Sequence, residues 1–196
     1  MKKGVIVLIV IVVVVLIGYM MAKSGYNNMV NMRETVQAQW ANVENQYQRR
    51  ADLIPNLVNT VKGYASHESN TLEAVTEARS RATQTRIDFD QLDEQSLSRY
   101  NAAQGELSSA LGRLLAISEN YPDLKASQNF RDLQVQLEGT ENRIATERRK
   151  FNEAAQNYNR YIRQFPRNIF ASMFGFKPTP YFQAAEGSDR APQVQF

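Results

Sequence analysis

The longest uncharged stretch of the chain covers residues 4–22 (GVIVLIVIVVVVLIGYMMA), with Lys2 and Lys3 before it and Lys23 after it. An α-helix rises about 1.5 Å per residue, so this stretch is roughly 28 Å long, close to the ~30 Å hydrocarbon thickness of a bilayer. A buried strand is a poor alternative, because strands usually have about five or six residues. We therefore expect residues 1–24 to form a single transmembrane anchor.

A cleaved signal peptide is the alternative interpretation of this stretch. Its apolar region usually has about 7 to 15 residues and ends in small residues at the cleavage site. Met20, Met21 and Ala22 make a poor cleavage site, and no cysteine follows that could carry a lipid. We expect the anchor to be retained, with Tyr19 at the membrane interface.

Beyond the anchor the chain is polar and has the length of one ordinary domain. Nine glycines and six prolines are few for a sheet domain with frequent turns, so the composition favours long helices. The absence of cysteine excludes disulfides, thiol catalysis and cysteine metal sites. A net charge of +3 is too small to indicate a nucleic-acid partner, and none is predicted.

Apolar positions recur in two long stripes at steps of three and four residues, which is typical of helices that pack as in a coiled coil. Pro55 lies within the first stripe and removes a backbone donor, so we expect that helix to bend or restart there. The second stripe continues without a break until Pro166. The first stripe contains Val36, Trp40, Val43, Tyr47, Ile54, Leu57, Val61 and Tyr64; the second contains Phe130, Leu133, Leu137, Thr140, Ile144, Phe151, Ala154, Tyr158, Tyr161 and Phe165.

Two shorter helices are predicted between the stripes, one over about residues 66–86 and one that begins near Leu97. Residues 87–95 are weakly periodic and predict a connection, and Pro122 opposes continuation of the third helix. The predicted fold class is therefore all-α: an N-terminal transmembrane helix followed by an antiparallel helical bundle of about four long helices in residues 25–177.

The C-terminal region has two parts. Residues 169–177 are aromatic, and either cap the end of the bundle or expose an apolar patch that needs a protein or lipid partner. Residues 178–196 mix proline, glycine and polar residues and are predicted to be a flexible tail.

Two charged residues, Arg50 and Glu147, occupy stripe positions where apolar residues are expected. Aligning Val36 with Phe165 in an antiparallel pair brings Arg50 within about one turn of Glu147, which predicts an internal ion pair. The alternative is that each side chain reaches water separately.

The sequence contains no pattern that indicates catalysis. His67 beside Glu68 is the single histidine, and metal sites usually need three or four converging ligands. The basic runs at residues 49–50 and 148–150 are more typical of solvated helix faces than of phosphate sites. We therefore predict no catalytic, cofactor-binding or metal-binding residues, no cofactor and no enzyme activity.

Several segments carry a family resemblance: residues 49–64 (RRADLIPNLVNTVKGY) with His67 and Glu68, residues 119–126 (ENYPDLKA) and residues 139–145 (GTENRIA). Together they resemble the LemA family over nearly the whole chain, from about residue 26 to 177. The resemblance implies a bacterial, N-terminally anchored α-helical protein. It supplies no catalytic residues, and it links some relatives to membrane remodelling or organelle formation.

These observations predict a membrane-anchored helical scaffold of the bacterial inner membrane that engages protein partners or copies of itself. The alternative is an envelope hydrolase that uses carboxylates in a groove between helices. The amino terminus, Lys2 and Lys3 precede the span, whereas only Lys23 and Arg33 follow soon after it. The positive-inside rule then predicts a cytoplasmic N-terminus and a periplasmic or extracellular bundle, although the family resemblance implies the opposite orientation.

Overall fold

The structure is a computed structural model that describes residues 2–183. This part of the chain is all-α, as predicted, and contains no strand. The helices are α1 (Lys2–Tyr64), α2 (Ser69–Gln84), α3 (Glu94–Ser118), α4 (Pro122–Ala126), α5 (Gln128–Arg163) and α6 (Arg167–Met173), with a 3-10 turn at Phe89–Gln91.

The anchor and the first bundle helix are one continuous helix, α1, of 63 residues. A stretch of high mean hydropathy, 3.3, makes it long and apolar enough to cross a membrane. The predicted restart at Pro55 does not occur. Ile54 and Leu57 are buried on either side of the exposed Pro55, and their packing offsets the hydrogen bond that proline removes.

The bundle alternates up and down through α1, α2, α3 and α5. Arg50 of α1 contacts Glu141 of α5, and Trp40 contacts Phe151, so these two helices run antiparallel along most of their length. α2 packs between α1 and α3, whereas α4 lies in the turn between α3 and α5. This arrangement confirms the predicted antiparallel bundle.

Both predicted stripes face inward, because most of their apolar members are buried. The membrane-distal cluster joins four helices around Leu57, Leu107 and Phe130. The membrane-proximal cluster joins mainly α1 and α5 around Trp40, Phe151 and Tyr158, whereas α3 contributes only Leu97 and Tyr100 of its first turns and α2 contributes none of its members. The bundle is therefore four helices thick at its far end and thinner near the membrane.

The predicted connection after α2 is present and ends in a helix cap. Asp93 accepts a hydrogen bond from the backbone N–H of Ser96, whose hydroxyl accepts one from the N–H of Asp93, so the two residues form a capping box at the start of α3. The pKa of Asp93 is lowered mainly because the backbone N–H of Ser96 donates to its charged carboxylate, and the Ser96 side chain adds to this effect. The same connection reaches back toward α1, where Arg33 contacts Asp90 at 2.6 Å.

The structure differs from the predicted C-terminal tail over residues 178–183, because this segment lies against α5. Thr179 and Phe182 are buried. Residues 169–177 also contact the bundle: Ala171 is buried, and Phe174 and Phe176 meet the ring of Tyr26 edge-on. Residues 184–196, the rest of the predicted tail, lie outside the described residues.

Candidate interaction groove

A long groove opens between α3 and α5, because α5 packs mainly on α1 and α3 packs mainly on α2, so the two helices do not close against each other. Its volume is about 1650 Å³. Its walls are formed by side chains within residues 26–50 of α1, 97–108 of α3 and 141–163 of α5, and residues 89–94 and 174–183 border its membrane-proximal part. We call this feature the α3–α5 groove.

Arg50 forms the floor of the groove and is only 1% exposed. Its Nη1 donates to Ser108 Oγ and to Glu141 Oε1, each at 2.7 Å. Its Nη2 donates to the side-chain oxygen of Gln104 at 2.6 Å and to the Gln104 carbonyl at 3.2 Å. The guanidinium also lies 5.1 Å from the ring centre of Tyr47. One side chain of α1 therefore connects α3 and α5 across the open side of the bundle.

Gln104 extends this polar network to α2, so that all four long helices take part. Its Nε2 donates to the carbonyl of Ala82 on α2 at 3.3 Å. Nearby, Arg79 Nε of α2 donates to the carbonyl of Ala51 on α1 at 2.7 Å. Because a buried charge is costly unless it is paired and hydrogen-bonded, the network stabilises one arrangement of the four helices around Arg50.

The prediction that Arg50 pairs with Glu147 is wrong: its partner is Glu141, and Glu147 contacts Lys150 at 2.8 Å. The error lies in the register of the two long helices. The alignment used for the prediction treated Phe165 as a core residue, but Phe165 is 81% exposed. In the structure Trp40 of α1 lies opposite Phe151 of α5. Because the helices are antiparallel, the residue ten positions after Trp40, Arg50, lies opposite the residue ten positions before Phe151, Glu141.

Two asparagines of α5, Asn152 and Asn159, hold the C-terminal segment against the bundle. Asn159 Nδ2 donates to the carbonyl of Thr179 and to the hydroxyl of Tyr181, and the Thr179 N–H donates to Asn159 Oδ1, all at 2.8 Å. Asn152 makes the same two-way contact with the backbone of Phe182, at 2.9 Å in both directions. Asn152 and Asn159 are seven residues apart on α5, which is a rise of about 10 Å. Three residues of extended chain, from Thr179 to Phe182, cover about the same distance, so both asparagines can bind the segment at once.

Phe182 inserts its ring into the membrane-proximal core. Its ring centre lies 5.8 Å from that of Trp40 in a stacked arrangement and 5.3 Å from that of Phe151. Arg148 covers the same ring at 4.6 Å. The sequence-based interpretation missed this docking site. Its only signal was a pair of asparagines two helical turns apart beside the apolar stripe of α5.

Three carboxylates of the groove take part in ion pairs or a helix cap. Glu141 accepts from Arg50, Asp90 pairs with Arg33, and Asp93 caps α3. Outside the groove, burial raises the pKa of Glu44, while the charge of Arg86 works in the opposite direction. The groove therefore offers paired charges and hydrogen-bonding groups suited to recognising another chain.

Two buried tyrosines of α1 and α3, Tyr47 and Tyr100, are also held in the neutral form. Burial raises the pKa of Tyr47 and of Tyr100, and at Tyr100 the neighbouring Tyr47 and Glu44 add to the effect. A phenol that stays neutral at physiological pH packs as an aromatic side chain and does not serve as a proton acceptor.

His67 and Glu68 lie in the turn between α1 and α2, at the far end of the bundle from the membrane. His67 is exposed, and Glu68 accepts a hydrogen bond from the hydroxyl of Tyr121 at 3.0 Å, a contact that secures this turn. Within residues 2–183 no three His, Asp or Glu side chains converge as a metal site would require. Of the basic runs, Arg49, Arg149 and Lys150 are exposed.

A continuous helix that is apolar enough to span a bilayer and that leads directly into a helical bundle defines a class, the single-pass membrane-anchored helical proteins. The model of the LemA family matches residues 39–196. The chain belongs to the LemA family, which confirms the resemblance found in its sequence.

Curated relatives agree with this assignment. The chain is 31% identical to magnetosome protein MamQ 2 of Paramagnetospirillum magneticum, over 84% of this chain and 66% of the relative. It is 31% identical to magnetosome protein MamQ of Magnetospirillum gryphiswaldense, over 86% and 70% of the two chains. It is 26% identical to protein LemA of Metamycoplasma hominis, over 82% and 69%. The chain thus spans about two thirds of these relatives, just under that share for MamQ 2.

Proposed function

We propose that this protein is a non-enzymatic scaffold of the bacterial inner membrane, which uses the α3–α5 groove to hold a segment of a protein partner. The observation that carries this proposal is the groove itself: it is large, open along one side of the bundle, and lined by side chains of three helices. A binding cleft on an otherwise closed bundle is the surface best suited to a partner.

The anchor places this groove at a defined distance from the membrane surface. Arg50 and the end of the apolar stretch at Ala22 lie on the same uninterrupted helix, roughly 42 Å apart along its axis. A partner held in the groove therefore stays close to the bilayer. Confinement to the membrane also raises the effective concentration of partners in the same plane, so that weak contacts become occupied.

The two apolar stripes are not available for contacts with another chain, because α1 and α5 bury most of their stripe residues inside the bundle. Association with a second copy therefore requires another surface, and the groove offers one. The segment held in the groove comes either from a second copy or from a different protein.

The rival function, an envelope hydrolase, requires a carboxylate free to move protons. Glu141 and Asp90 are instead each paired with an arginine, and Asp93 caps a helix N-terminus. Glu34 and Glu94 also line the groove, but both are exposed to water, which does not hold a proton on a carboxylate at neutral pH. The names of the curated relatives also state no catalytic activity. Both observations favour binding over turnover.

We infer that the N-terminus is cytoplasmic and that the bundle is periplasmic or extracellular. The positive-inside rule counts basic residues within about 15 to 20 residues of the span, which favours the side of Lys2 and Lys3. Basic residues of α5 and α6 come near the membrane only after folding, so they do not enter this count. The experiment is protease treatment of intact spheroplasts: digestion of the bundle supports the inferred orientation, and full protection reverses it.

The scaffold is tested by photocrosslinking in native membranes, with p-benzoylphenylalanine at Ala102, an exposed groove residue of α3. Ser109, exposed on the same helix but outside the groove, provides the matched control position. We expect discrete protein adducts from Ala102 and few from Ser109, with mass spectrometry separating a second copy from a different partner. Equal or absent labelling at the two positions would contradict the proposal.

A further inference from the structure

α6 and the turn before it lie beside the end of the transmembrane stretch. Phe165 and Phe170 share a pocket with Met20 and Met21, the last large apolar residues of that stretch. The segment after α6 meets α1 only slightly farther along, where the ring centres of Tyr26 and Phe174 are 5.0 Å apart. The fold therefore places α6 at the level where α1 leaves the bilayer.

One face of this region is apolar and uncovered. Phe165 is 81% exposed, Ile169 is 56% exposed and Met173 is 64% exposed. The spacing of four residues along the chain places Ile169 and Met173 on one face of α6, with Phe165 just before it. The opposite face, with Phe170 and Ala171, packs on the bundle. We call Phe165, Ile169 and Met173 the α6 apolar face.

Basic residues lie close to this face along the chain and on the adjacent part of α1. Arg160 and Arg163 end α5, Arg167 begins α6, Lys177 follows it, and Lys23 lies on the adjacent turn of α1. No acidic residue occurs within residues 4–33 or 154–177. Arg167 is fixed beside the bundle by a hydrogen bond to Gln164 Oε1 at 2.7 Å and by its position over the ring of Tyr161.

We propose that α6 is a membrane-interface helix: its apolar face enters the boundary between headgroups and acyl chains, and the nearby basic residues contact anionic headgroups. The occupant of this surface is the lipid bilayer from which α1 emerges, because the apolar face is continuous with the apolar surface of the span. Apolar residues beside basic ones are the combination that places a helix in this boundary.

The consequence is a second membrane contact for the bundle. A bundle attached only through α1 can rotate about that helix and tilt with it. Insertion of α6 fixes which side of the bundle faces the membrane, and thereby the direction in which the α3–α5 groove opens. This inference does not depend on the scaffold function, since it concerns only how the bundle sits on its own membrane.

The experiment uses the full chain in nanodiscs that contain phosphatidylcholine and phosphatidylglycerol. The chain has no cysteine, so single cysteines can carry a nitroxide without background labelling. Labels at Ile169→Cys and Met173→Cys report on the α6 apolar face. Tyr19→Cys provides a membrane reference, and Val135→Cys provides an exposed control on α5, roughly 40 Å from the membrane end of that helix.

Electron paramagnetic resonance with oxygen and a water-soluble nickel complex distinguishes lipid, water and protein surroundings. We expect the labels at positions 169 and 173 to be more accessible to oxygen than to the nickel complex, as at position 19. The label at position 135 should be more accessible to the nickel complex. High nickel accessibility at 169 and 173 would overturn the proposal, because the face would lie in water. Low accessibility to both reagents would also overturn it, since a protein would then cover the face.

A second measurement avoids the nitroxide. Ile169→Trp should lose emission in nanodiscs with brominated acyl chains, whereas Val135→Trp and the buried native Trp40 should not. Equal quenching of the two introduced tryptophans would contradict insertion. In nanodiscs of phosphatidylcholine alone, the nitroxides at positions 169 and 173 should lie less deep, and an unchanged depth would overturn the assigned headgroup contacts.

Discussion

Arg50 Nη1 lies 2.7 Å from Glu141 Oε1, and the two ends of this ion pair have very different surroundings. The side chain of Arg50 is 1% exposed, whereas that of Glu141 is 41% exposed at the groove. Arg50 also keeps Gln104 and Ser108 as partners when Glu141 is absent, whereas the side-chain oxygen of the buried Gln104 has Arg50 as its partner and no water to replace it. The arginine is therefore the member of the pair on which the arrangement of the helices depends.

This asymmetry predicts unequal effects of two alanine substitutions. Arg50→Ala should lower the free energy of unfolding by roughly 3 to 5 kcal/mol, because it leaves a cavity and strands the buried oxygen of Gln104. Glu141→Ala should cost only about 1 to 2 kcal/mol, since the carboxylate is partly solvated and Arg50 retains other partners. Thermal and chemical unfolding of the full chain in detergent, followed by circular dichroism, measures both.

A double-mutant cycle tests the identity of the pair. Arg50→Ala and Glu141→Ala should be non-additive by about 0.5 to 3 kcal/mol. Glu147→Ala is the matched control on the same helix, and it should add to Arg50→Ala, because Glu147 contacts Lys150 instead. Coupling of Arg50 to Glu147 in place of Glu141 would mean that the register of α1 and α5 described above is incorrect.

The helical fold could be predicted because the two stripes follow one helical period over long distances. The register could not, because it depends on which residues at the end of α5 enter the core. Pro166 follows Phe165 directly, so the rhythm alone could not show that Phe165 leaves the bundle and lies near Met20. Placing Phe165 in the core shifts the predicted register of α1 and α5, and this shift gives Arg50 the wrong partner.

The groove and the docked C-terminal segment could not be derived from periodicity for different reasons. The groove exists because α3 and α5 lie apart in the folded bundle, and the apolar periodicity of the sequence does not encode the distance between two helices. Asn152 and Asn159 are polar, and polar residues on a helix are usually solvated, so their pairing with an extended backbone becomes visible only when residues 179–182 are placed beside them. The stripes show that Arg50 and Glu147 occupy unusual positions, but only Arg50 reaches the groove floor.

Asn159→Ala should release the C-terminal segment from α5. The substitution removes the acceptor for the buried Thr179 N–H and the donor to the Thr179 carbonyl, at a cost of about 1 to 3 kcal/mol for docking. We expect faster hydrogen exchange at the amide of Thr179, measured by mass spectrometry of the full chain in detergent. Asn157→Ala, on an exposed face of the same helix, should leave that exchange unchanged.

Trp40 is the only tryptophan, so its emission reports directly on Phe182, which stacks on it. Phe182→Ala should expose the indole to water and shift its emission to longer wavelength. Phe182→Leu keeps apolar contact and should produce a much smaller shift. An unchanged spectrum in Phe182→Ala would show that residues 178–183 do not cover Trp40 in solution.

The last prediction concerns Glu44, whose pKa is raised above its ordinary value of 4.5 mainly because burial disfavours the charged carboxylate. A group with a raised folded pKa contributes stability that is fully present below its unfolded pKa and is lost as the pH rises through the folded pKa. Glu44→Gln cannot ionise. It should therefore match the wild type in melting temperature near pH 3.5 and exceed it at pH 7, where the attraction of Arg86 only partly compensates the wild-type carboxylate.

The difference between the two melting curves isolates this residue from the other carboxylates, which titrate in both proteins. Glu73→Gln, on an exposed face of α2, controls for the change in net charge. If Glu44→Gln melts lower than the wild type at pH 7, the attraction of the Arg86 charge outweighs desolvation and the sign of the assigned pKa shift is incorrect. If the gain appears equally in Glu73→Gln, it arises from net charge and not from the burial of Glu44.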